Sequence, residues 1–453
     1  MSELIGSLWS RLRGETGRTL MRTFLAKGMS AFGALALVAV VGQFYGPKGV
    51  GVYALAYSIL LGAGILARRG MGNALVRFVG RDFKSQQARD YLRLAGRRSL
   101  VISVPLGLAI FFLRHYIELF FEMPGLSSVL LGIGLAIPFY TWSLLLAGFF
   151  KGIRKPATAG LQENGAISLL ACGLLLLCHA FDLVSRFGLS LLGWVYLIAA
   201  IAIAAQGQMV ASIWLKGLGE GDGGCVSPAE KAEFSSASLS FFIISLAAFM
   251  QGVLSVLIAG KLLSSEELGL FKSAQQIAIS VAFVLMAINA IFPPRFAALY
   301  HQGSMAALGK SARRAAVIGL VMSSPFLLAC LLVPEWILGL LGEGFDPGAP
   351  LLRMLAIAQL VNVATGSVGY LLNMTGHDRT MRNVALTCNG IGLLGFLTLP
   401  LVFGALGAAI ALAFALVAQN LTAMVLVWIK LGIWTMPGPN LLAMLGIKSH
   451  AER

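Results

Sequence analysis

The strongest feature of this sequence is a succession of apolar stretches, each long enough to cross a lipid bilayer as a helix. A transmembrane helix needs about 20 mostly apolar residues to span about 30 Å of hydrocarbon, and we count twelve such stretches in the 453 residues. Hydrophobic residues make up 58% of the chain and charged residues only 12%, about half the charged fraction of soluble proteins. A water-soluble fold is therefore excluded, and we predict an all-α integral membrane protein.

The second of these stretches is short if it ends before Arg68. We therefore expect it to continue through residues 70–79, with its basic side chains facing protein or water. The twelve predicted spans are 24–44, 50–67, 99–121, 127–150, 161–181, 189–215, 236–260, 272–292, 315–333, 351–372, 384–403 and 407–429.

The positive charges lie mostly between the apolar stretches, on one side of the predicted membrane. The formal net charge is +15, and 28 of the 34 Lys and Arg residues fall on the side that carries the N-terminus. Lys and Arg are enriched in cytoplasmic loops. An even number of spans puts both termini on one side, so both termini are predicted to be cytoplasmic. The excess of basic residues is explained by the orientation of the chain in the membrane. We therefore predict no nucleic-acid partner.

A weak internal repeat divides the chain in two. Residues 42–59 align without gaps onto residues 260–277, with four identities in eighteen positions. Six helices per repeat give both halves the same orientation, related by a pseudo-two-fold axis along the membrane normal. The predicted domains are a cytoplasmic amphipathic segment (1–23), an N-lobe of helices 1–6 (24–215), a cytoplasmic linker (216–235), a C-lobe of helices 7–12 (236–429) and a cytoplasmic tail (430–453).

The sequence lacks the usual signatures of an active site. The five histidines are scattered, and no HExxH motif or Cys/His cluster accompanies them, so we predict neither a metal nor a cofactor. No loop between the predicted spans is large enough to suggest a catalytic centre. We therefore predict that the protein is not an enzyme.

Ionisable residues within membrane spans are costly and are the default functional candidates. Here they are mainly basic, and fixed cations in a water-filled cavity would bind an anionic phosphate or pyrophosphate through charge-assisted hydrogen bonds. Lys272 is the strongest candidate, because it is a cation on the predicted outward side, where cations are disfavoured. The alternative role for Lys27, Arg68 and Arg69 is to anchor helix ends, with their charged heads at the cytoplasmic surface. The six candidates are Lys27, Arg68, Arg69, Arg77, Lys272 and Arg353.

Neutral polar residues inside the predicted spans form a second candidate set. They either contact sugar hydroxyls in a cavity or tie neighbouring helices together by hydrogen bonds. These candidates are Gln43, Gln275, Gln276, Asn289, Gln359 and Asn362. Acidic residues are nearly absent from the spans, which argues against an exporter coupled to protons or sodium.

Four segments resemble a known family: LAKGMSAFGALALVAVVGQFYGPKGVGVYALAYSI, GMGNALVRFVGRD, EGFDPGAPLLRMLAIAQLVN and GALGAAIALAFALVAQN. In their order and spacing they resemble the polysaccharide-biosynthesis flippases. These Wzx-type O-antigen and exopolysaccharide exporters belong to the multidrug/oligosaccharidyl-lipid/polysaccharide (MOP) superfamily. The likeness extends over almost the whole chain.

This resemblance implies two six-helix bundles in a V, as in MATE-like proteins, and transport by alternating access. The implied substrate is an oligosaccharide on undecaprenyl pyrophosphate, moved from the inner to the outer leaflet of the bacterial inner membrane. The implied headgroup contacts are Lys27, Arg68, Arg69 and Arg77 in the first lobe and Lys272 in the second. Candidate partners are a polysaccharide polymerase and other assembly proteins, besides the lipid bilayer itself. Gln275 and Gln276 stand where relatives often carry an arginine, which departs from the family pattern.

Two alternatives remain at this stage. A cation-coupled multidrug exporter of the same architecture would export drugs without affecting surface glycan. A membrane enzyme of glycan assembly would change the length or attachment of the polymer.

Overall fold

The computed structural model describes residues 15–83, 86–218 and 226–439, and every regular element in these ranges is helical. The side chains of the predicted amphipathic segment, residues 1–23, lie outside the described part of the chain. The tail from residue 440 also lies outside it. The chain divides into two compact units, with the boundary between Lys261 and Leu262. This boundary lies later in the chain than the predicted linker, and the division into lobes of six helices each stays a prediction.

The first unit is built on α4, which packs against α1, α2, α3 and α8. The buried positions of α4 include the small residues Gly132, Gly134 and Gly148, which allow close helix approach. The helices of this unit are α1 (Glu15–Arg68), α2 (Met71–Arg81), α3 (Gln87–Phe121), α4 (Leu126–Gly152), α5 (Pro156–Leu161), α6 (Asn164–Ala180), α7 (Leu183–Phe187), α8 (Ser190–Lys216) and α9 (Pro228–Phe249), followed by a π-helical turn (Met250–Leu254). Helix α10 (Ser255–Leu262) ends at the unit boundary.

The second unit is centred on α15, which packs against α11, α13 and α17. Its first full helix begins with a capping box, in which Ser264 and Glu267 bond each other's backbone amides. The helices are α11 (Ser265–Val281), α12 (Phe283–His301), α13 (Met305–Leu332), α14 (Pro334–Gly339), α15 (Ala349–Thr365), α16 (Val368–Met374) and α17 (Asp378–Leu431), with a 3-10 turn (Asp346–Gly348) before α15.

Seven helices of the described residues are long and apolar enough to cross a membrane. Two elements, α1 and α17, have 54 residues each, about 81 Å at the helical rise and far more than a bilayer's thickness. Each is interrupted by a glycine with non-helical torsions, Gly46 (φ 64°) and Gly404 (φ 54°). These glycines lie between predicted spans 1 and 2 and between spans 11 and 12. The count of twelve spans stays a prediction.

Several predicted helix ranges are wrong in detail. The second span does not continue through 70–79, because Arg69 (φ 44°) and Gly70 (φ 75°) are both left-handed and end the helix. The range 272–292 is divided at Ala282 between α11 and α12. The range 351–372 is interrupted at Gly366, whose φ of 72° favours glycine.

The range 161–181 also starts too early, because the chain breaks between α5 and α6 at Gln162 and Glu163. The break brings the Gln162 side chain into the interior, where it is fully buried. Its Nε2 donates to Gln206 Oε1 at 2.7 Å, and Ser143 Oγ donates to its backbone oxygen at 2.9 Å. One amide therefore joins α4 and α8 across the break.

Replacing Gln162 by leucine should destabilise the protein by about 1–3 kcal/mol, because Gln206 would lose its donor and Ser143 would lose one of its two acceptors, Gln162 Oε1 at 3.1 Å. The expected readout is a lower melting temperature of the purified protein in detergent. Gln208→Leu is the matched control, since Gln208 is exposed and donates only to Ser212 on its own helix. Equal melting temperatures for the two variants would contradict a structural role for Gln162.

Candidate functional site

The basic residues Arg68 and Arg69 lie at a sharp corner between α1 and α2. Arg68 Nε donates to the carbonyl oxygen of Gly64 at 3.1 Å, so its head folds back along its own helix. Arg69 is exposed, and its carbonyl oxygen accepts a hydrogen bond from Ser238 Oγ at 2.6 Å. This bond ties the corner to α9, a segment about 170 residues further along the chain.

Arg77 lies on the exposed face of α2, with its guanidinium 5.6 Å from the ring centroid of Phe78. The opposite face of this short helix buries Ala74, Leu75 and Val79 in the first unit. Helix α2 is therefore amphipathic, and its polar face carries the predicted phosphate contact.

Arg69 lines a cavity of about 550 Å³ together with Arg97, Arg98, Ser235 and Ser238. We call it the basic cleft. Its remaining lining residues are apolar: Met71, Val101, Ile102 and Leu239. The corner between α1 and α2, helix α3 and helix α9 each contribute to it. Nothing local in the sequence marks Arg97 and Arg98 as neighbours of α9.

Two carboxylates precede the serines of the basic cleft on α9, and neither lines the cleft. Glu233 Oε1 pairs with Arg81 Nη2 at 2.8 Å, and the hydrogen bond from this guanidinium lowers the pKa of Glu233. Glu230 accepts from the backbone nitrogen of Ser227 at 2.7 Å, which lowers its pKa, and from Gln87. Both acids on the first turns of α9 thus stay ionised and are bonded to other groups.

The second unit contains another basic cavity, of about 800 Å³, lined by Lys310, Arg313 and Arg314 near the start of α13. Leu431 and Trp434 lie on its other side. Arg313 Nη2 donates to the carbonyl oxygen of Trp434 at 3.4 Å. Both units therefore place paired arginines near the start of a long membrane helix, beside a cavity.

Lys272 lies on α11, partly buried, and its Nζ donates to Gln275 Oε1 at 2.9 Å. The two side chains are three positions apart and share one helix face. Among the described residues no carboxylate lies within ion-pair distance of Lys272. Gln275 and Lys272, predicted as separate contacts, thus form one polar pair.

The remaining basic candidates have different settings. Arg353 is exposed, and its Nη2 pairs with Glu335 Oε1 at 2.9 Å, while its Nε donates to the carbonyl oxygen of Leu331. The Lys27 side chain lies outside the described residues. Among the described residues no hydrogen bond or ion pair joins Arg353 to Lys272. The role of each as a phosphate contact stays a prediction.

The neutral polar candidates of the second unit are engaged with one another or with nearby helices. Asn289 accepts a hydrogen bond from Ser367 Oγ, which joins α12 to the break before α16. Gln359 is buried and accepts from Asn362 Nδ2 at 2.9 Å. The Asn289 bond joins two elements, the alternative role that the sequence left open, whereas the bond between Gln359 and Asn362 lies within α15.

Two other neutral candidates lie on different elements. Gln276 is partly exposed, and its backbone oxygen accepts from Ser280 Oγ at 3.1 Å. Gln43 is exposed on α1 of the first unit. Contact with a sugar stays a prediction for both residues.

The fold resembles those of several solved membrane transporters. One is the lipid II flippase MurJ in an inward-closed conformation, with a TM-score of 0.67, 11% identity, and coverage of 90% of this chain and 87% of that one. Another is the MATE multidrug transporter DinF-BH in complex with R6G, with a TM-score of 0.61, 19% identity, and coverage of 92% and 96%. A MOP superfamily transporter from Pyrococcus furiosus matches with a TM-score of 0.51, 15% identity, and coverage of 93% and 97%.

The chain thus has the all-α, multi-pass fold of these solved transporters, which confirms the predicted fold class. The sequence profile described as polysaccharide biosynthesis protein matches residues 19–299, more than half of the chain. The chain therefore belongs to the polysaccharide biosynthesis protein family, as its resemblance indicated. The MatE profile matches residues 240–398, and no curated protein sequence matches. The family and the similar structures are transporters and flippases rather than enzymes.

Proposed function

We propose that this protein is a flippase for an oligosaccharide linked to a polyprenyl phosphate or pyrophosphate. It moves this lipid from the cytoplasmic to the periplasmic leaflet of the bacterial inner membrane, for synthesis of O-antigen, exopolysaccharide or capsule. Membership of the polysaccharide biosynthesis protein family supports the substrate class. Transport by alternating access fits the MOP fold.

The observation that carries the substrate class is the setting of Lys272. A lysine within an apolar segment is costly unless it has a partner or a function. Here the ammonium group donates to the neutral amide of Gln275, and no described carboxylate lies within ion-pair distance of it. A phosphate is the anion that the proposed cargo would bring to this ammonium group.

The other proposed headgroup contacts are Lys27, Arg68, Arg69, Arg77 and Arg353. The proposal places both termini in the cytoplasm, and treats residues 24–215 and 236–429 as the two lobes that move during transport. An undecaprenyl carrier, a polymerase and other assembly proteins complete the proposed pathway. Membrane potential is available to drive net charge movement, at about 2.3 kcal/mol per charge per 100 mV.

Deletion of the gene should cause the lipid-linked oligosaccharide to accumulate on the cytoplasmic leaflet. A probe restricted to the periplasm measures this distribution in intact cells, and permeabilised cells give the total. Unchanged labelling in the periplasm would exclude the flippase and favour drug export or a later step of assembly.

Replacing Lys272 by alanine should lower surface glycan export by at least about tenfold, the effect of losing one charge-assisted bond to phosphate. Export is measured as surface glycan per unit of protein in the membrane. Lys48→Ala is the matched control, because Lys48 is an exposed cation on the same predicted side. Normal export by the Lys272 variant at normal protein level would contradict the assignment.

A second candidate function is multidrug export, which the MatE profile and the DinF-BH fold favour. It predicts that deletion sensitises cells to cationic drugs and leaves the surface glycan unchanged. The same deletion strain therefore distinguishes the two functions.

A further inference from the structure

The basic cleft of the first unit contains three arginines, and two of them, Arg97 and Arg98, have no role in the proposed transport step. Arg69, Arg97 and Arg98 come from two different elements and line one cavity of about 550 Å³. Like charges this close repel one another unless an anion lies among them. The cleft thus has the composition of an anion site.

No acidic side chain lines the basic cleft among the described residues. The nearby acids of α9 are bonded elsewhere, Glu233 to Arg81 and Glu230 to Ser227 and Gln87. Arg98 Nη1 donates to a neutral group, Ser235 Oγ. The positive charge of the cleft is therefore not neutralised by described carboxylates.

Two further features suit a phosphate group. Ser235 and Ser238 place hydroxyl groups on the cleft wall, and hydroxyls and guanidinium groups are common partners of phosphate oxygens. The N-terminal end of α2 begins at Met71, which also lines the cleft. The partial positive charge of a helix N-terminus adds to the attraction.

The rim of the basic cleft is apolar and exposed. Val101 on α3 is 73% exposed and Leu239 on α9 is 52% exposed. One turn further along α9, Ile243 is 64% exposed. On an integral membrane protein, acyl chains can pack against such an aliphatic surface. A soluble anion has no apolar group that would pack there.

We propose that the basic cleft binds the phosphate headgroup of an anionic phospholipid from the cytoplasmic leaflet, with its acyl chains along Val101, Leu239 and Ile243. Basic pockets between membrane helices on the cytoplasmic side are suited to such headgroups. The bound lipid bridges α3, the corner between α1 and α2, and α9. It is a resident lipid, distinct from the cargo, and on this assignment Arg69 binds the resident lipid in place of the cargo headgroup contact proposed above.

The test uses the full-length protein in nanodiscs and a photo-crosslinkable phosphatidylglycerol. In the wild-type protein, crosslinked peptides should include residues 97–102 or 235–239, and a phosphatidylcholine analogue should crosslink there several-fold less. The double variant Arg97→Gln/Arg98→Gln should lower this crosslinking by about tenfold or more. Mapping by peptide separates this site from the basic cavity of the second unit.

Arg93→Gln is the matched control, because Arg93 is exposed on the same helix one turn earlier and does not line the cleft. It should crosslink like the wild type. The two lipids are compared in the wild-type protein. This comparison therefore tests the proposal even if the double variant does not fold.

Three results would overturn the proposal. Equal crosslinking of phosphatidylglycerol and phosphatidylcholine would show no headgroup recognition. Displacement by millimolar inorganic phosphate would assign the cleft to a free anion. Displacement by an equimolar polyprenyl pyrophosphate would assign it to the transported cargo, which would leave the flippase proposal intact.

Discussion

Replacing Gly70 by alanine should separate α9 from the corner between α1 and α2 and destabilise the protein by about 2–5 kcal/mol. Gly70 has φ of 75°, a left-handed conformation that costs other residues about 1–2 kcal/mol. A Cβ atom there would also overlap the carbonyl oxygen of Ser238 and the backbone nitrogen of Phe242. Backbone atoms within a helix cannot move aside locally, so overpacking adds about 1–3 kcal/mol.

The measurement is denaturant unfolding of the purified variant in micelles, together with glycan export in cells. Gly303→Ala is the control, because Gly303 also has positive φ (69°) but a Cβ there would meet nothing within 4 Å. The control isolates backbone strain and should cost about 1 kcal/mol. An equal decrease in the free energy of unfolding for both variants would show that the close approach of α9 to Gly70 does not contribute to stability.

The second large effect is expected where α4 and α8 touch. A Cβ atom on Gly132 would overlap the backbone of Gly193, and one on Gly193 would overlap the carbonyl oxygen of Val129. Small residues let membrane helices approach until their backbones touch. Gly132→Ala and Gly193→Ala should each cost about 1–3 kcal/mol, because the two helices must separate to admit the methyl group.

The double variant provides a sharper test. Both glycines serve one contact, so once the helices have separated, the second methyl group should cost less than the first. Gly173→Ala on α6 is the control, since a Cβ there meets nothing within 4 Å. It should leave unfolding unchanged or raise stability by up to about 1 kcal/mol. Strict additivity of the two substitutions would contradict a shared contact.

The candidate site was only partly predictable. Lys272 stood out because it is a cation on the predicted outward side, where cations are disfavoured, and its pairing with Gln275 follows from a spacing of three residues on one helix. The basic cleft was not predictable, since Arg98 and Ser235 are 137 residues apart. Arg97 and Arg98 read equally well as topology signals, because a basic pair before an apolar span has the same pattern in either role.

The sequence by itself determined the membrane class, the helical fold and the family. These depend on composition, on the length of apolar runs and on ordered motifs, all of which are local properties of the chain. Only the tertiary structure decided that the chain breaks at Arg69 and Gly70, that Gln162 is buried, and that α9 packs on the corner between α1 and α2. Each of these outcomes results from close contact between distant segments, which sets backbone torsions and burial and leaves no periodic signal in the sequence.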